Sequence, residues 1–391
     1  MHETIQRIVG KSNVTDSDID LAAYSYDASS MKLKPELVAW PTAEEDIMKI
    51  IGYCNRANLS IVCRGRGTNL AGSAIGDKSV ILDFSRMAQI LKFNPKENFV
   101  VVEPGITVQE LNAYLLSQNK FFPIFPDEMV TTVGGVLALN LHGVYAQGLG
   151  RIKDWTLSLE YYDGTGKYHD TTETEDIIGW EGTTGILTKA KLKICDWPLA
   201  RTADLLTFNN IPLLLKKVAE LSRNKNILSL EFFNKTASAY LNLENKYNLL
   251  IEYVTEEGRV KDKEMMKHLA QKRQNTHAIL RLKKYYHLED PKLPYEKLYD
   301  LIVWCEKQGL PCYGHIGIGT LKIMFKKEDY LLIEELCGLT RDWNGFASGI
   351  FGYGLKKKKY FPPGLKHRLI KIKETKDYNN ILNRGKLIDF K

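Results

Sequence analysis

Residues 64–76 read RGRGTNLAGSAIG and directly follow SIVC, an apolar run at residues 60–63 that predicts a β-strand. Gly65, Gly67 and Gly72 allow the backbone to take a positive φ and to come close to a ligand. Successive backbone N–H groups in such a loop point toward one centre. This arrangement suits a pyrophosphate, so the loop is a candidate nucleotide site.

Short polar side chains in the same loop add possible hydrogen-bond donors at Thr68, Asn69 and Ser73. The loop is neither a P-loop, since no GK[ST] ends it, nor a GxGxxG dinucleotide fingerprint, since no helix clearly begins at its last glycine. Taken alone, the pattern is equally typical of a tight turn between a strand and the next element.

A helix is predicted immediately before this strand. LVAWP at residues 37–41 is a short strand that Pro41 ends, and Thr42 with Glu45 has the spacing of a capping box. Three isoleucines then fall on one face of the helix: Ile47, Ile50 and Ile51. The local order is therefore strand, helix, strand, glycine loop.

The remaining first half is rich in strands. VILDF, FVVVEPG, TLSLEYYDGTGKYHD and GILTKAKLKIC read as strands, the third with a DG turn between two arms, and TVQELNAYLLSQN reads as a helix. We predict an α+β domain over residues 36–199. Residues 1–35 form a polar lead-in, expected to be helical.

The second half alternates strands and helices. LLTF, a helix IPLLLKKVAELSRN, ILSLEFF and NLLIEYV predict a small α/β sandwich with one antiparallel sheet over residues 200–300. Residues 301–391 contain a helix, the glycine-rich strand end GHIGIG and a basic tail that is expected to be helical.

The composition excludes several classes of protein. The 391 residues carry 54 basic and 47 acidic side chains, an ordinary globular balance with a net charge of +7. Six cysteines without a CxxC pair argue against a zinc ribbon or a disulfide framework, and they favour a reducing compartment. No apolar run reaches the roughly 18 residues of a membrane helix, and the start lacks a signal-peptide layout. We expect a cytoplasmic protein.

The lysine run at residues 356–359 is expected to be a solvated surface, with peripheral contact to a membrane or a partner as the alternative. No nucleic-acid-binding module is recognisable.

The ordered series of blocks from residue 40 to residue 194 resembles the FAD-binding domain of the vanillyl-alcohol oxidase and p-cresol methylhydroxylase (PCMH) family. The flavin subunit of glycolate oxidase, D-lactate dehydrogenases and aldonolactone oxidases share this fold. The resemblance covers about 160 residues with its blocks in the family's order. It implies a two-subdomain FAD-binding domain, a reduced α/β substrate (cap) domain and a C-terminal helical segment.

The resemblance also implies which residues hold FAD. The set comprises the glycine loop, a PD pair, a TxGG segment, the LNLHG segment, one aspartate, the EGTTGI segment and the asparagine of ILNRGK. These are Arg64, Gly65, Arg66, Gly67, Thr68, Asn69, Gly72, Ser73, Pro126, Asp127, Thr132, Gly134, Gly135, Asn140, Gly143, Asp154, Glu181, Gly182, Gly185, Ile186 and Asn383. The loop lacks the histidine that attaches flavin covalently in some branches, so non-covalent FAD is expected.

The second half resembles the C-terminal domain of FAD-linked 2-hydroxyacid dehydrogenases, in which two histidines and a glutamate bind a divalent metal. Only the first histidine, His315, is kept. Lys322 and Ile350 stand at the other two ligand positions, and Phe351 replaces the histidine base. A lone histidine cannot form a catalytic metal site, so no metal is expected.

Three functions stay open at this point. The chain is an FAD-dependent oxidoreductase for a sugar-type alcohol, as in aldonolactone or decaprenylphosphoryl-ribose oxidases. Alternatively, it is a 2-hydroxyacid oxidoreductase with metal-free chemistry, or an FAD-binding subunit without substrate chemistry of its own.

Catalysis would require a base and a group that binds the substrate. Candidates for the base are His315, His142 and Tyr353, and Lys322 is a candidate to hold an anionic group. His142 and His315 also have a purely structural interpretation as hydrogen-bonded histidines, and Lys322 has one as a strand lysine that faces solvent. The expected substrate is small, hydroxylated and possibly anionic, and the acceptor is a quinone, an electron-transfer protein or O₂.

Overall fold

The computed structural model describes residues 1–124, 130–196, 201–255 and 263–390. Contacts between Cα atoms divide the chain into two units. Unit 1 comprises residues 1–142, 151–197 and 351–391, and unit 2 comprises residues 143–150 and 198–350.

The helices and strands are numbered here in chain order. The helices are α1 His2–Val9, α2 Asp18–Tyr24, α3 Glu44–Ala57, α4 Val108–Ser117, α5 Val133–Ala138, α6 Ala146–Leu149, α7 Ile211–Leu221, α8 Lys235–Tyr240, α9 Lys263–Leu282, α10 Leu298–Lys307, α11 Tyr330–Asp342 and α12 Pro363–Lys376. The strands are β1 Val14–Thr15, β2 Leu37–Ala39, β3 Ser60–Arg64, β4 Ser79–Asp83, β5 Ile90–Asn94, β6 Phe99–Val102, β7 Lys120–Phe121, β8 Thr156–Tyr162, β9 Tyr168–Thr171, β10 Ile186–Lys193, β11 Cys195–Asp196, β12 Arg201–Phe208, β13 Ile227–Phe233, β14 Tyr247–Val254, β15 Tyr285–Glu289, β16 Cys312–His315 and β17 Lys322–Lys326.

Unit 1 contains two main sheets, in agreement with the predicted two-subdomain α+β fold. The first has the order β1-β2-β4-β3, and its pairs β2-β4 and β3-β4 are parallel. The second is antiparallel with the order β5-β6-β10-β8-β9. The glycine loop begins where β3 ends, so the first sheet fixes its position.

Helix α3 packs its isoleucine face into the core of unit 1, as predicted: Ile47, Ile50 and Ile51 are fully buried. The predicted cap is shifted by one residue. Ala43 is the N-cap, and the Asp46 carboxylate accepts hydrogen bonds from the backbone N–H groups of Thr42 and Ala43 at 3.1 and 3.2 Å. Asp46 therefore performs the role that was predicted for Glu45. All three acidic residues of the first turn suit the positive end of the helix, so charge alone does not select one of them.

Unit 2 is an α/β sandwich around one antiparallel sheet with the order β12-β14-β13-β16-β17-β15. One side of this sheet, the core face, buries Phe232, Leu249 and Phe325 with apolar residues of α7 and α10. Because neighbouring residues on a strand point to opposite sides, the alternate residues form a second face. We call this second face the polar face.

The predicted boundary between residues 300 and 301 does not coincide with a boundary between units. Strands β16 and β17 belong to the unit 2 sheet, because β16 pairs with β13 and β17 pairs with β15. Residues 351–391 cluster with unit 1, where Leu382 forms a parallel bridge with Ile61 of β3.

Candidate functional site

The glycine loop adopts the predicted conformation at two positions. Gly67 and Gly72 have φ values of 66° and 82°, which non-glycine residues rarely adopt. Gly65 serves a different purpose. A Cβ atom there would lie 2.9 Å from Thr132 Cγ2, so only glycine allows the loop and residue 132 to come this close.

Side chains within the loop hold its shape. Asn69 Oδ1 accepts hydrogen bonds from the N–H groups of Ala71 and Ser73 at 2.8 and 2.9 Å. Arg64 Nη1 donates to the Ala74 carbonyl oxygen at 2.9 Å. The Asn69 carboxamide oxygen therefore organises the loop, whereas the sequence suggested Asn69 as a donor to a ligand.

Helix α5 supplies the opposite wall. Thr132 is its N-cap, and Thr132 Oγ1 accepts a hydrogen bond from the Gly135 N–H at 3.2 Å. Gly134 packs against Pro104, where a Cβ would lie 2.9 Å from Pro104 Cβ. The glycines of the TxGG segment, Gly134 and Gly135, thus form a wall that faces the glycine loop.

A cavity with about 900 Å³ of open space lies between these walls in unit 1. Thirteen of the predicted cofactor residues line it: Arg64, Gly65, Arg66, Gly67, Thr68, Asn69, Ser73, Thr132, Gly134, Gly135, Glu181, Gly182 and Gly185. The sequence did not identify Cys63, Ala74, Phe84, Pro104, Thr131, Ala138, Leu139, Ile177 and Leu187, which also line it. Most of these residues are small or apolar and lie next to the motifs in the sequence. Their residue types carry no signal for cofactor binding.

Glu181 connects the cavity wall to the C-terminal segment. Its buried carboxylate accepts hydrogen bonds from the N–H groups of Tyr353 and Gly354, at 2.6 and 2.9 Å, and from the Ser73 hydroxyl. Burial raises the pKa of this carboxyl above its usual value, although these hydrogen bonds oppose the rise. The Ser73 hydroxyl proton is therefore directed at Glu181.

Asn383 acts on the same wall from the C-terminal end. Its Nδ2 donates to the Ser73 carbonyl oxygen at 3.1 Å and to the Glu181 carbonyl oxygen at 2.6 Å. Lys386 Nζ is buried and donates to the Ile75 carbonyl oxygen. The last residues of the chain thus hold the end of the glycine loop in place.

The other predicted cofactor residues lie outside the cavity lining. Gly72 packs near Met31 and Leu355, and the exposed Asp154 accepts a hydrogen bond from the Arg151 N–H at 2.8 Å. Ile186 is buried in β10, beside the cavity-lining Gly185. Asn140 has a left-handed backbone with φ 47°, and Gly143 clusters with unit 2. Pro126 and Asp127 lie outside the described residues.

The cavity residues fit FAD. Gly65, Gly67 and Gly182 line the cavity without side chains, which suits a pyrophosphate, and the exposed Arg66 adds positive charge at the rim. Asn383 Oδ1, on the Glu181 wall, is buried and accepts no hydrogen bond from the described residues.

A buried pair of polar side chains, Glu231 and His315, lies on the polar face of unit 2. Glu231 of β13 is in register with His315 of β16, and His315 Nδ1 lies 3.2 Å from Glu231 Oε1. Both side chains are at least 94% buried. Burial alone would raise the pKa of Glu231, but the hydrogen bond and charge of His315, with the charges of Arg273 and Lys322, lower it.

Lys322 lies on the same face. It is in register with Tyr313, which is two residues before His315, and its residue is 4% exposed. Lys322 Nζ is 5.9 Å from the centre of the Tyr313 ring. The structural interpretation of Lys322 as a solvated strand lysine is therefore wrong, because the side chain is buried.

Glu231, His315 and Lys322 form a polar network with a second group of charged side chains in unit 2. Arg273 of α9 forms an ion pair with the buried Glu252, and the Tyr145 hydroxyl lies 3.3 Å from Glu252 Oε2. Arg201 Nη1 donates to the Tyr145 hydroxyl. Sequence reasoning missed Glu231 and Glu252, although a charged residue within each apolar strand, ILSLEFF and NLLIEYV, was a visible signal.

Ile350, which stands at a ligand position of the resembled metal site, is held through its backbone by Asp290. Asp290 is buried and its carboxylate accepts hydrogen bonds from the Ser348 hydroxyl and from the N–H groups of Gly349 and Ile350. Among the described residues, no group of three or more His, Cys, Asp or Glu side chains is placed to hold a metal ion.

His142 is not placed in the cavity lining. Its ring is 2% exposed in unit 1, and its backbone forms an antiparallel bridge with Arg151. The structure thus brings His315 and Lys322 together on one sheet, and His142 lies in the other unit.

Comparisons with known proteins agree with this architecture. Residues 35–172 match the family described as "FAD binding domain". The chain is 26% identical to glycolate oxidase subunit GlcD of Bacillus subtilis, over 98% of this chain and 96% of that protein. It is 25% identical to the mitochondrial D-lactate dehydrogenase [cytochrome] of Arabidopsis thaliana, over 90% of this chain and 73% of that protein.

A solved structure of p-cresol methylhydroxylase superimposes with a TM-score of 0.76 at 15% identity, covering 99% of this chain and 96% of that one. The fold and the glycine-walled cavity therefore define an FAD-binding flavoprotein with the PCMH-type fold, and the predicted fold class is confirmed. The chain is an FAD-dependent oxidoreductase that is similar over most of its length to a glycolate oxidase subunit and to a D-lactate dehydrogenase. No described helix is long and apolar enough to cross a membrane.

Proposed function

We propose that this oxidoreductase oxidises a small, anionic hydroxylated substrate without a divalent metal, and that the polar face of unit 2 binds the substrate. The observation that carries the proposal is the buried Glu231–His315 pair on the same face as the buried Lys322. Thirteen of the predicted flavin residues line one cavity, and the polar network of unit 2 is buried, which supports an enzyme over an FAD-binding subunit without chemistry.

His315 is the proposed base. A carboxylate 3.2 Å from Nδ1 favours the tautomer with its proton on Nδ1, which places the lone pair on Nε2. Glu231 also stabilises the imidazolium that forms when Nε2 takes a proton. Glu231 acts through His315, so it is a positioning residue.

Lys322 is the proposed counter-charge for the substrate. In the described network, Arg201, Arg273 and Lys322 provide three cations, whereas Glu231 and Glu252 provide two carboxylates. Among these five described side chains, the cations outnumber the carboxylates by one. Such an excess favours a substrate that carries a carboxylate or a phosphate.

The reaction is the removal of two electrons and two protons from a CH–OH group. His315 Nε2 takes the hydroxyl proton while the C–H bond breaks and a carbonyl group forms. Bound FAD supplies the acceptor for the hydride that leaves the carbon. Lys322 holds the anionic group and opposes the negative charge that develops on the substrate oxygen.

The acceptor that reoxidises the flavin is proposed to be a quinone, an electron-transfer protein or O₂. The Arabidopsis relative carries cytochrome in its name, which describes that protein. An aldonolactone or another sugar-type alcohol is the alternative substrate class.

Anaerobic mixing of the FAD-loaded protein with 2-hydroxy acids, sugar phosphates and aldonolactones tests the proposal. We expect an anionic hydroxy compound to bleach the oxidised flavin. His315→Ala is expected to slow bleaching by about 10²-fold or more, as loss of a general base does.

His367→Ala is the matched control, because His367 is exposed on α12 in unit 1. It should bleach at the wild-type rate. Failure of every substrate class to bleach fully loaded wild-type protein would contradict the proposal and favour the FAD-binding subunit.

A further inference from the structure

One corner of unit 2 exposes large apolar side chains. Leu282 at the end of α9 is 84% exposed and Tyr286 of β15 is 50% exposed. Tyr330 and Leu331 at the start of α11 are 64% and 67% exposed. Single exposed apolar residues are ordinary, but four in two neighbouring segments need an explanation.

The two segments, 281–286 and 326–331, meet through strand pairing. Tyr285 of β15 is in register with Lys326 of β17, and Lys326 Nζ lies 5.9 Å from the centre of the Tyr285 ring. Each of the four exposed residues lies within five positions of this pair. We call the two segments together the corner patch.

Basic side chains lie in the same two segments as these apolar residues. Five of them in the corner patch are exposed: Arg281, Lys283, Lys284, Lys326 and Lys327. Two acidic residues, Glu328 and Asp329, oppose them, and the Asp329 carboxylate accepts a hydrogen bond from the Lys326 N–H at 2.8 Å. The corner patch therefore has a formal charge of +3.

We propose that the corner patch docks the protein on an anionic lipid surface. Exposed leucines can enter the boundary between head groups and acyl chains, and tyrosines suit that interface because they combine an apolar ring with a polar tip. Lysines keep their charge at the level of anionic head groups while their stems cover apolar surface.

The composition favours a lipid surface over a protein partner. Cores of protein interfaces are depleted of lysine, whereas lysine is the most frequent residue of the corner patch. A lipid surface can bind a patch that has no defined shape, whereas a protein partner needs a complementary one. The side chains of the corner patch project from a helix end and a turn, which suits the lipid surface.

Co-sedimentation of the FAD-loaded full chain with vesicles tests the proposal. Vesicles of phosphatidylcholine with phosphatidylserine should bind the protein, and vesicles of phosphatidylcholine alone should bind it at least about 10-fold more weakly. K283E combined with K284E should reduce binding to the anionic vesicles by at least about 10-fold. L282S combined with L331S should also weaken it, and the binding that remains should be more sensitive to salt.

Two controls match these changes elsewhere on the surface. K366E combined with K371E gives the same change in net charge on exposed positions of α12, and Leu213→Ser removes a leucine that is 55% exposed on α7. Both controls should bind as the wild type does. No vesicle binding by the wild type, or equal loss in the α12 control, would overturn the proposal. Circular dichroism and a thermal melt like those of the wild type show for every variant that the fold is intact.

Discussion

Asn383 and Ser73 are 310 residues apart in the chain, and Asn383 Nδ2 donates to the Ser73 carbonyl oxygen at 3.1 Å. The same amide donates to the Glu181 carbonyl oxygen at 2.6 Å. Both carbonyl groups belong to residues that line the candidate FAD cavity. The C-terminal segment therefore supports the wall of this cavity through hydrogen bonds to the protein backbone.

We expect Asn383→Ala to destabilise unit 1 by about 2–4 kcal/mol, because it leaves two buried carbonyl groups without their donor. FAD should also bind more weakly, since the end of the loop loses its support. Denaturant unfolding and FAD titration measure the two effects. The exposed Asn379→Ala is the control and should cost less than about 0.5 kcal/mol. Equal stabilities of the two variants would contradict this role.

Gly65→Ala should impair FAD binding through a steric clash. It should not strain the backbone, because Gly65 does not have a positive φ. The added Cβ would lie 2.9 Å from Thr132 Cγ2, and moving Thr132 would disturb the cap of α5. We expect a cost of about 1–3 kcal/mol in FAD affinity.

The control for this steric effect is Gly364→Ala, because a Cβ at Gly364 meets no atom within 4 Å. It should bind FAD as the wild type does. If Gly65→Ala also retained wild-type affinity, the close approach of the loop to Thr132 would not matter for the cofactor.

The buried Lys386 makes the stability of the fold depend on pH in the alkaline range. Burial lowers its pKa to about 8, although Asp27 and Glu181 act in the opposite direction. Between this value and the ordinary 10.5, the unfolded chain binds more protons at this site than the folded chain does. The contribution of Lys386 to stability therefore rises with pH in this window.

Lys386→Met removes that contribution. The difference in unfolding free energy between wild type and variant should move in favour of the wild type from pH 8 to pH 10.5, by at most about 1.4 kcal/mol per pH unit. The exposed Lys371→Met should show no such trend. A difference for Lys386→Met that does not change with pH would contradict a buried, neutralised amine.

Glu231→Gln tests the positioning of His315. The substitution keeps the shape but removes the charge that stabilises protonated His315, so kcat should fall by about 10-fold or more while KM changes little. Glu231→Asp should recover part of the loss. A change confined to KM would show that Glu231 serves substrate binding instead.

The sequence predicted the glycine loop and the TxGG wall well, because these features are local. Gly67 and Gly72 take positive φ, and Gly65 meets Thr132, since a glycine pattern after a strand encodes the turn directly. Thirteen of the predicted cofactor residues line one cavity. Their contacts with FAD stay a prediction.

Features that depend on distant parts of the chain were not predictable in the same way. Asn69 and Ser73 line the cavity, and the sequence did not predict that Asn69 Oδ1 would hold loop amides or that the Ser73 hydroxyl would donate to Glu181. Nothing local indicates that residues 351–391 return to unit 1, because the Ile61–Leu382 bridge joins residues 321 positions apart. The helix cap moved from Glu45 to Asp46 because several acidic residues compete in one turn.

The most direct test of metal-free oxidation is the rate of flavin reduction by the best anionic hydroxy substrate after the FAD-loaded protein has been treated with a strong chelator. We predict that chelation leaves the rate unchanged, and that Lys322→Met lowers it by about 10-fold or more because the buried positive charge is lost. Lys371→Met, an exposed lysine of α12, should retain the wild-type rate. A rate that falls on chelation and recovers with added Zn²⁺ or Mn²⁺ would contradict the role proposed for Lys322.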